Sequence, residues 1–316
     1  MSFTVQIKEE ISKITGTSSE TIACLSAYIR NNGTITDKKI TLTTENHFIV
    51  EKVKEDLRNL YDVAATEEII ENLNFSKNDL YQITISEKLE TITQDLGILD
   101  EKGMYLDVVP NYIIGANEEI RAYLKGAFLA TGSISDPKKS RYHMEILVAE
   151  PEEAVFIQKL LNLFDLNAKI LSREKGYMIY IKEAEKISDF IKLLGATNAV
   201  LYYENVRIYR DQKNMTNRLN NCEQANMDKV FLTASQQLNQ IKMIEEDEGE
   251  TLLDDRTRQA LEYRKKYPEV SMKELAEIIS IETGKPLTKS GLNHRMRKIK
   301  ELATRLEKNK QEQENE

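Results

Sequence analysis

The sequence predicts an α+β fold, in which a body built twice over from an α-β-β-α-β-β-α unit precedes an all-helical module at the C-terminus. Three observations predict it. The segment LSAYIRNNGTITD at 25–37 returns as LKGAFLATGSISD at 124–136, offset by 99 residues with Leu, Gly, Ile and Asp in register. The elements after each copy follow the same order. Charge is also segregated, since residues 256–310 hold 15 Lys and Arg against 7 Asp and Glu, while residues 1–255 hold 29 against 42.

After Gly33 an alternating strand (ITLTT, 40–44) leads to a helix (HFIVEKVKEDLRNLY, 47–61), a strand (LYQITIS, 80–86) and a helix (KLETITQDLGIL, 88–99). After Gly132 come YHMEILVAE (142–150), PEEAVFIQKLLNLF with Pro in the first turn (151–164), YMIYIKE (177–183) and AEKISDFIKLLGA (184–196). The halves run over about 1–103 and 104–203. Turns are expected at Asp37-Lys38 and Asp136-Pro137. The first helix of each half carries small residues, Ser26 and Ala27 in one and Gly126, Ala127 and Ala130 in the other, so the two are expected to pack closely about a pseudo-twofold axis.

A chain of 316 residues suggests two or three domains. Cys24 and Cys222 are the only cysteines, and no Cys or His cluster has ligand spacing, so neither a disulfide framework, a metal site nor a cofactor is expected. The opening MSFTVQIKEEISKI carries acids early, and no run reaches membrane-spanning length. These features lead to the expectation of a cytoplasmic protein with no membrane partner. A net charge of −8 speaks against a nucleic-acid partner for the chain as a whole. The average conceals one basic module attached to an acidic body.

In that module, assigned to 230–310, Ser271 and Glu274 have the spacing of a capping box, and Met272, Leu275, Ala276 and Ile279 keep helical period. Gly284 ends this helix. A short turn, GKPL, leads to Thr288 as N-cap of a second helix, whose buried stripe is Leu292, Met296, Ile299, Ala303 and Leu306. At about 100° per residue, Ser290, His294, Arg297 and Lys298 point away from that stripe, with Lys289, Asn293 and Arg295 on its flanks. Acids are absent from 288–300, so the face suits double-stranded DNA as a recognition helix does. Gly291 costs up to about 1 kcal/mol against Ala in a helix, and close approach to a DNA backbone would favour it. The acidic run EEDEGE (245–250) reads as a solvated helix end or loop, and residues 311–316 as a disordered tail. The acidic body suits a protein partner, a co-regulator or part of the transcription machinery.

Between body and module, 204–229 reads as an Asn-rich linker. If helical, Asn214, Asn217, Arg218 and Asn221 share one face at i, i+3, i+4 and i+7. That face is either a solvated connector, a set of contacts to DNA phosphates, or a place where the module docks on the body.

The motif LKGAFLATG followed by a strand resembles the signature helix of LAGLIDADG homing endonucleases, with 25–33 as a second copy. The resemblance implies that the residue before the last Gly of each copy would be a metal-binding acid. Those positions are Asn32 and Thr131, and neither is a carboxylate, so a degenerate, non-catalytic body is expected. Asp37 and Asp136 are the nearest repeated acids and read as turn residues. NMTNRLNNCEQAN at 214–226 resembles the linker of the WhiA family of sporulation and cell-division regulators, and KSGLNHRMRKIKELA at 289–303 resembles its C-terminal helix-turn-helix. This likeness, which covers nearly the whole chain, implies a sequence-specific transcription regulator linked to sporulation, cell division or chromosome segregation. An active homing endonuclease and a nucleoid-associated protein binding DNA unspecifically stand as alternatives.

Overall fold

Each copy of the repeated helix is opened by a glutamate reaching back to the chain before it. Thr17 N donates to Glu20 Oε2 at 2.7 Å and Ala116 N to Glu119 Oε2 at 2.9 Å, so the repeat extends to a pair of acids that also stand 99 residues apart. Each copy is closed by a glycine. Gly33 N donates to Ile29 O (2.7 Å) and Gly132 N to Phe128 O (2.9 Å), and an added Cβ would sit 2.5 Å from Ile29 O or 2.1 Å from the Phe128 ring. The computed structural model describes residues 2–70, 79–139, 141–247 and 249–314.

The first half comprises α1 (Phe3–Ser12), α2 (Ser18–Asn32), β1 (Thr34–Ile35), β2 (Ile40–Thr44), α3 (His47–Tyr61), β3 (Thr66–Ile70), β4 (Leu80–Ile85) and α4 (Leu89–Asp95). The second comprises α5 (Asn117–Thr131), β5 (Ser133–Ile134), β6 (Met144–Val148), α6 (Pro151–Leu163), β7 (Lys169–Arg173), β8 (Gly176–Ile181) and α7 (Ala184–Leu193). Each half forms a four-stranded antiparallel sheet, in the orders β1-β2-β4-β3 and β5-β6-β8-β7. Strand alternation sets which face is covered. Ile40, Leu42, Ile83 and Ile85 are fully or almost fully buried in one sheet, as are Met144, Ile146, Ile179 and Ile181 in the other.

Helices α2 and α5 make the most extensive contact between elements of the body, as their small residues lead one to expect. A Cβ at Gly126 would lie 2.0 Å from Cys24 O and 3.0 Å from Ala27 Cβ, so the backbones touch there. Ser26, Ala27 and Ala127 are buried, and Ser26 Oγ donates to Leu96 O at 2.7 Å.

Three details differ from expectation. Helix α1 has no counterpart in the second half, and it covers the free edge of β5, where Thr4 Oγ1 donates to Ile134 O and accepts from Ile134 N, both at 2.9 Å. Helix α4 stops at Asp95 because Gly97 takes φ +60° and turns Leu96 and Ile98 into the core. The link from β5 to β6 is longer than a tight hairpin, although the turn expected at Asp136-Pro137 is present, with Lys139 N donating to Asp136 O and Lys138 N to Asp136 Oδ1, both at 2.9 Å.

The remaining elements are helical: α8 (Thr197–Glu246), α9 (Asp255–Lys266), α10 (Met272–Thr283) and α11 (Lys289–Glu314). Contacts divide the chain into two compact units, Met1–Asp211 and Gln212–Glu316. The segment 204–229 is helical throughout, lying inside the 50 residues of α8. Where the composition suggests a tail from 311 onward, α11 continues to Glu314, because Lys, Gln and Glu are strong helix formers; the last two residues lie outside the described residues. The acidic run is not simply solvated either. Glu245 pairs with Lys265, and Gly249 is buried; Glu248 lies outside the described residues. No helix among the described residues is long and apolar enough to cross a membrane.

Candidate nucleic-acid interface

The C-terminal module is built around the stripe read from its sequence. Leu275, Ala276 and Ile279 of α10 and Leu292, Met296, Ile299 and Ala303 of α11 form one core with Ala260 and Leu261 of α9 and Ile241 and Ile244 of α8; Leu306 packs against it, half-buried. Ser271 caps α10, with Glu274 N donating to Ser271 Oγ (3.3 Å) and Ser271 N to Glu274 Oε2 (2.8 Å). Gly284 ends α10 in the left-handed region at φ +63°. The turn is then pinned to the helix before it, as Leu287 N donates to Ser280 Oγ at 2.8 Å. Thr288 opens α11 by accepting from Gly291 N at 3.1 Å.

Arg264, which is 1% exposed, closes the turn between α9 and α10. Its Nη1 donates to Tyr267 O (3.2 Å) and Val270 O (2.8 Å), and its Nη2 lies 3.2 Å from Met272 Sδ. Burial lowers the pKa of this guanidinium. Sequence reading missed this role, because an arginine within a basic run has no apolar period to mark it as buried.

The seven residues assigned to the outward face of α11 separate into two groups. Lys289, Ser290, Asn293, His294 and Arg297 are exposed, and none of their side chains makes a hydrogen bond or ion pair among the described residues. Lys298 and Arg295 turn back to the module: Lys298 Nζ lies 2.8 Å from Asp254 Oδ2, and half-buried Arg295 donates from Nη1 to Arg256 O at 3.2 Å. Lys285, in the turn, is also exposed, and its side chain has no partner among the described residues. Its place between two capped helices is the sequence signal that would have flagged it. Gly291 has an internal neighbour, because an added Cβ would sit 3.1 Å from Leu287 Cδ1. Asn214, Asn217, Arg218 and Asn221 are exposed on α8 and lack partners among the described residues.

In the body, Asn32 commits its whole amide to strand β2. Its Nδ2 donates to Thr43 O and its Oδ1 accepts from Thr43 N, both at 2.9 Å. Thr131 Oγ1 is buried and makes no hydrogen bond among the described residues. An amide already saturated by backbone and a single neutral hydroxyl do not fit a divalent cation, which needs several oxygen donors and prefers carboxylates. Asp37 lines a cleft of about 730 Å³ with Glu90, Asp100 and Glu101. Among the described residues no group of three His, Cys, Asp or Glu side chains is placed to hold a metal ion. The solvent face of the first sheet is polar, with Thr34, Thr41, Thr84 and Thr66 in register across its four strands and no Lys or Arg among the described strand residues of that face. The corresponding face of the second sheet carries Lys169 and Arg173 beside exposed Leu147 and Leu171.

Comparison with known proteins matches three parts of the chain in order: a WhiA N-terminal LAGLIDADG-like domain at 18–99, a WhiA LAGLIDADG-like domain at 120–213 and a WhiA C-terminal HTH domain at 216–303. The probable cell division protein WhiA of Enterococcus faecalis is 40% identical over 310 residues, covering 97% of this chain and 98% of that protein. The protein of the same name from Pediococcus pentosaceus is 38% identical over 310 residues, covering 97% and 99%. Among solved structures, a full-length WhiA from Thermatoga maritima superposes with a TM-score of 0.60 at 23% identity, covering 96% of this chain and 99% of that one. Matches in this order and over this length show that the chain belongs to the WhiA family.

Proposed function

We propose that the protein is a sequence-specific DNA-binding regulator acting in cell division, with α11 as its recognition helix and a body that does not cut DNA. The observation that carries the reading is the row Lys289, Ser290, Asn293, His294 and Arg297, exposed and without partners among the described residues, opposite the buried stripe from Leu292 to Ala303. Asn293 and His294 in the first two turns of such a helix can reach base edges in the major groove, with Arg297 one turn further along, and Lys289 and Lys285 can neutralise phosphates. Lys298 and Arg295 orient α11 from behind. The link to cell division is carried over from the names of the relatives, and control of transcription is the use that a sequence reader of this kind serves. A supporting role for Asn214, Asn217, Arg218 and Asn221 as phosphate contacts fits their exposure on α8. Asn32 and Thr131 support the non-catalytic part of the reading, since one is saturated and the other is neutral.

The test compares two substitutions on opposite faces of α11 in the full chain. Arg297→Ala should weaken binding to genomic fragments by about 10-fold or more and leave the melting temperature unchanged. Leu292→Ala, at a fully buried position, should cost about 2–5 kcal/mol of stability in the module. Full DNA affinity in Arg297→Ala would remove α11 as the reader. Footprints at defined genomic sites are expected; uniform coverage of any fragment would favour an unspecific nucleoid protein instead.

A further inference from the structure

Helix α8 carries an apolar stripe that the chain covers over only part of its length. Val230, Ala234, Gln237, Ile241 and Ile244 repeat at spacings of four and three and are half-buried or buried in the C-terminal module. Toward the N-terminus the same face continues as Met215, Leu219, Cys222 and Asn226 at spacings of four, three and four. There it is bare. Met215 is 66% and Leu219 55% exposed, and Cys222 and Asn226 are exposed as well, with Asn226 Nδ2 3.8 Å from Cys222 Sγ. Met227 and Phe231, also exposed, lie further round the helix and outside this seam.

We propose that this seam docks on the same seam of a second copy of the chain, forming a short parallel two-stranded coiled coil. Three features select that occupant. Alternating steps of four and three place Met215 and Cys222 at d positions and Leu219 and Asn226 at a positions, the repeat that buries one helix edge against another. A single Asn at a is the polar residue that fixes register in parallel pairs, because it meets its own copy across the twofold axis. The flanks are complementary, since Arg218 falls at g and Glu223 at the next e, the two positions that face each other between parallel helices. The pair forms twice by symmetry. An antiparallel pair would instead set g against g and e against e, bringing like charges together.

A seam of about three turns is too short for an obligate dimer, so the association is weak and concentration-dependent. Its use would be to couple two helix-turn-helix modules, so that two half-sites are held at once and the second engages intramolecularly. Arg218 stands at the border between the seam and the Asn face, and can serve either.

The experiment is sedimentation of the full chain without DNA, so that it is independent of the DNA-binding reading. A monomer–dimer equilibrium is expected, with half-association in the range of roughly 1–100 µM. Leu219→Lys should abolish it and Arg218→Glu should weaken it, and adding Glu223→Arg to the latter should restore it. All three sites are exposed, so circular dichroism and melting temperature should not change. Mild oxidation should cross-link the chain through Cys222, since Cys24 is buried, and Cys222→Ser should prevent it. A monomer at every concentration, a dimer that survives Leu219→Lys, or a charge swap that fails to restore association would each overturn the proposal.

Discussion

Lys298 Nζ lies 2.8 Å from Oδ2 of Asp254, the N-cap of α9, so a cation of α11 ties that helix to the one behind it. The same carboxylate accepts from Thr257 N (2.9 Å) and Thr257 Oγ1 (3.0 Å). Lys298 first, then these two donors, hold the Asp254 carboxyl well below the usual carboxylate range. Asp254 therefore serves the cap and the orientation of α11 together.

Removing it separates these roles from DNA contact. Asp254→Ala loses a helix cap and lowers the melting temperature of the module by a few degrees. It also frees Lys298 and removes an anion from the vicinity of the phosphates. DNA affinity measured well below the transition should therefore rise, and the salt slope should steepen by up to about one counterion. A fall in affinity at a temperature where the variant is fully folded would show that the pair matters for presentation of α11 more than for its charge.

Two glycines in helices should respond oppositely to alanine. At Gly126 the new Cβ meets the Cys24 carbonyl at 2.0 Å, a backbone atom that cannot rotate away. Gly126→Ala should force α2 and α5 apart and cost about 3 kcal/mol or more, read as a drop in the urea midpoint of the body.

At Gly291 the nearest atom is Leu287 Cδ1 at 3.1 Å, the end of a flexible side chain. Gly291→Ala gains up to about 1 kcal/mol of helix propensity, so stability should be unchanged or higher. If the glycine is there to let a phosphate approach, DNA affinity should fall while the melting temperature does not. Unchanged affinity would rule out the approach of a phosphate as its reason.

These cases mark what was legible in the sequence. Gly126 and the cap at Ser271 could be read because small residues and capping spacings act locally, within one or two turns of helix. The stripe from Leu292 to Leu306 was legible because period alone fixes it. Lys298 and Arg295 were read only by phase, as outward-facing cations; the partners that turn them back, Asp254 and the Arg256 carbonyl, lie about forty residues earlier and no period connects them. Helix α1 was invisible as a strand cover, because Thr4 meets Ile134 across 130 residues. The Asn-rich face of α8 was legible as a face, but the continuity of the helix through it was not, since Asn is a weak helix former that often stands at helix ends.

Lys8 of α1 gives a pH dependence. Burial beside the Phe128 ring, 5.7 Å from its ammonium, lowers its pKa to about 8, against the opposing pull of Glu45. Between pH 8 and the unperturbed 10.5 the unfolded chain holds the extra proton, so stability rises with pH across that window; below it the penalty is present in full. Lys8→Met should therefore stabilise the body at pH 7 by about 1 kcal/mol, allowing for partial exposure, and the advantage should vanish above pH 10.5. Urea midpoints of the two proteins at pH 7 and pH 10.5 measure it, and an equal difference at both values would refute the assignment.

Restoring an acid at the first motif position should not restore a nuclease. In Asn32→Asp the carboxylate would still accept from Thr43 N, but its second oxygen would face the Thr43 carbonyl, an acceptor against an acceptor, where the amide now donates at 2.9 Å. Losing that bond and setting like partial charges together costs about 1–3 kcal/mol. A protonated Asp can donate where the amide did, so the loss should shrink as pH falls through the carboxyl's own titration. The variant should thus be less stable than the parent at pH 7 and closer to it at pH 4. Neither it nor the double variant Asn32→Asp, Thr131→Asp should cleave supercoiled plasmid in Mg²⁺ or Mn²⁺, because the first carboxylate is held against β2 instead of being aimed between α2 and α5. The parent should be equally inert. Cleavage by the parent that disappears in Asp37→Ala, Asp136→Ala would reassign the metal site to those two loop acids, and cleavage gained by the double variant would mean that the scaffold lacks nothing but its acids.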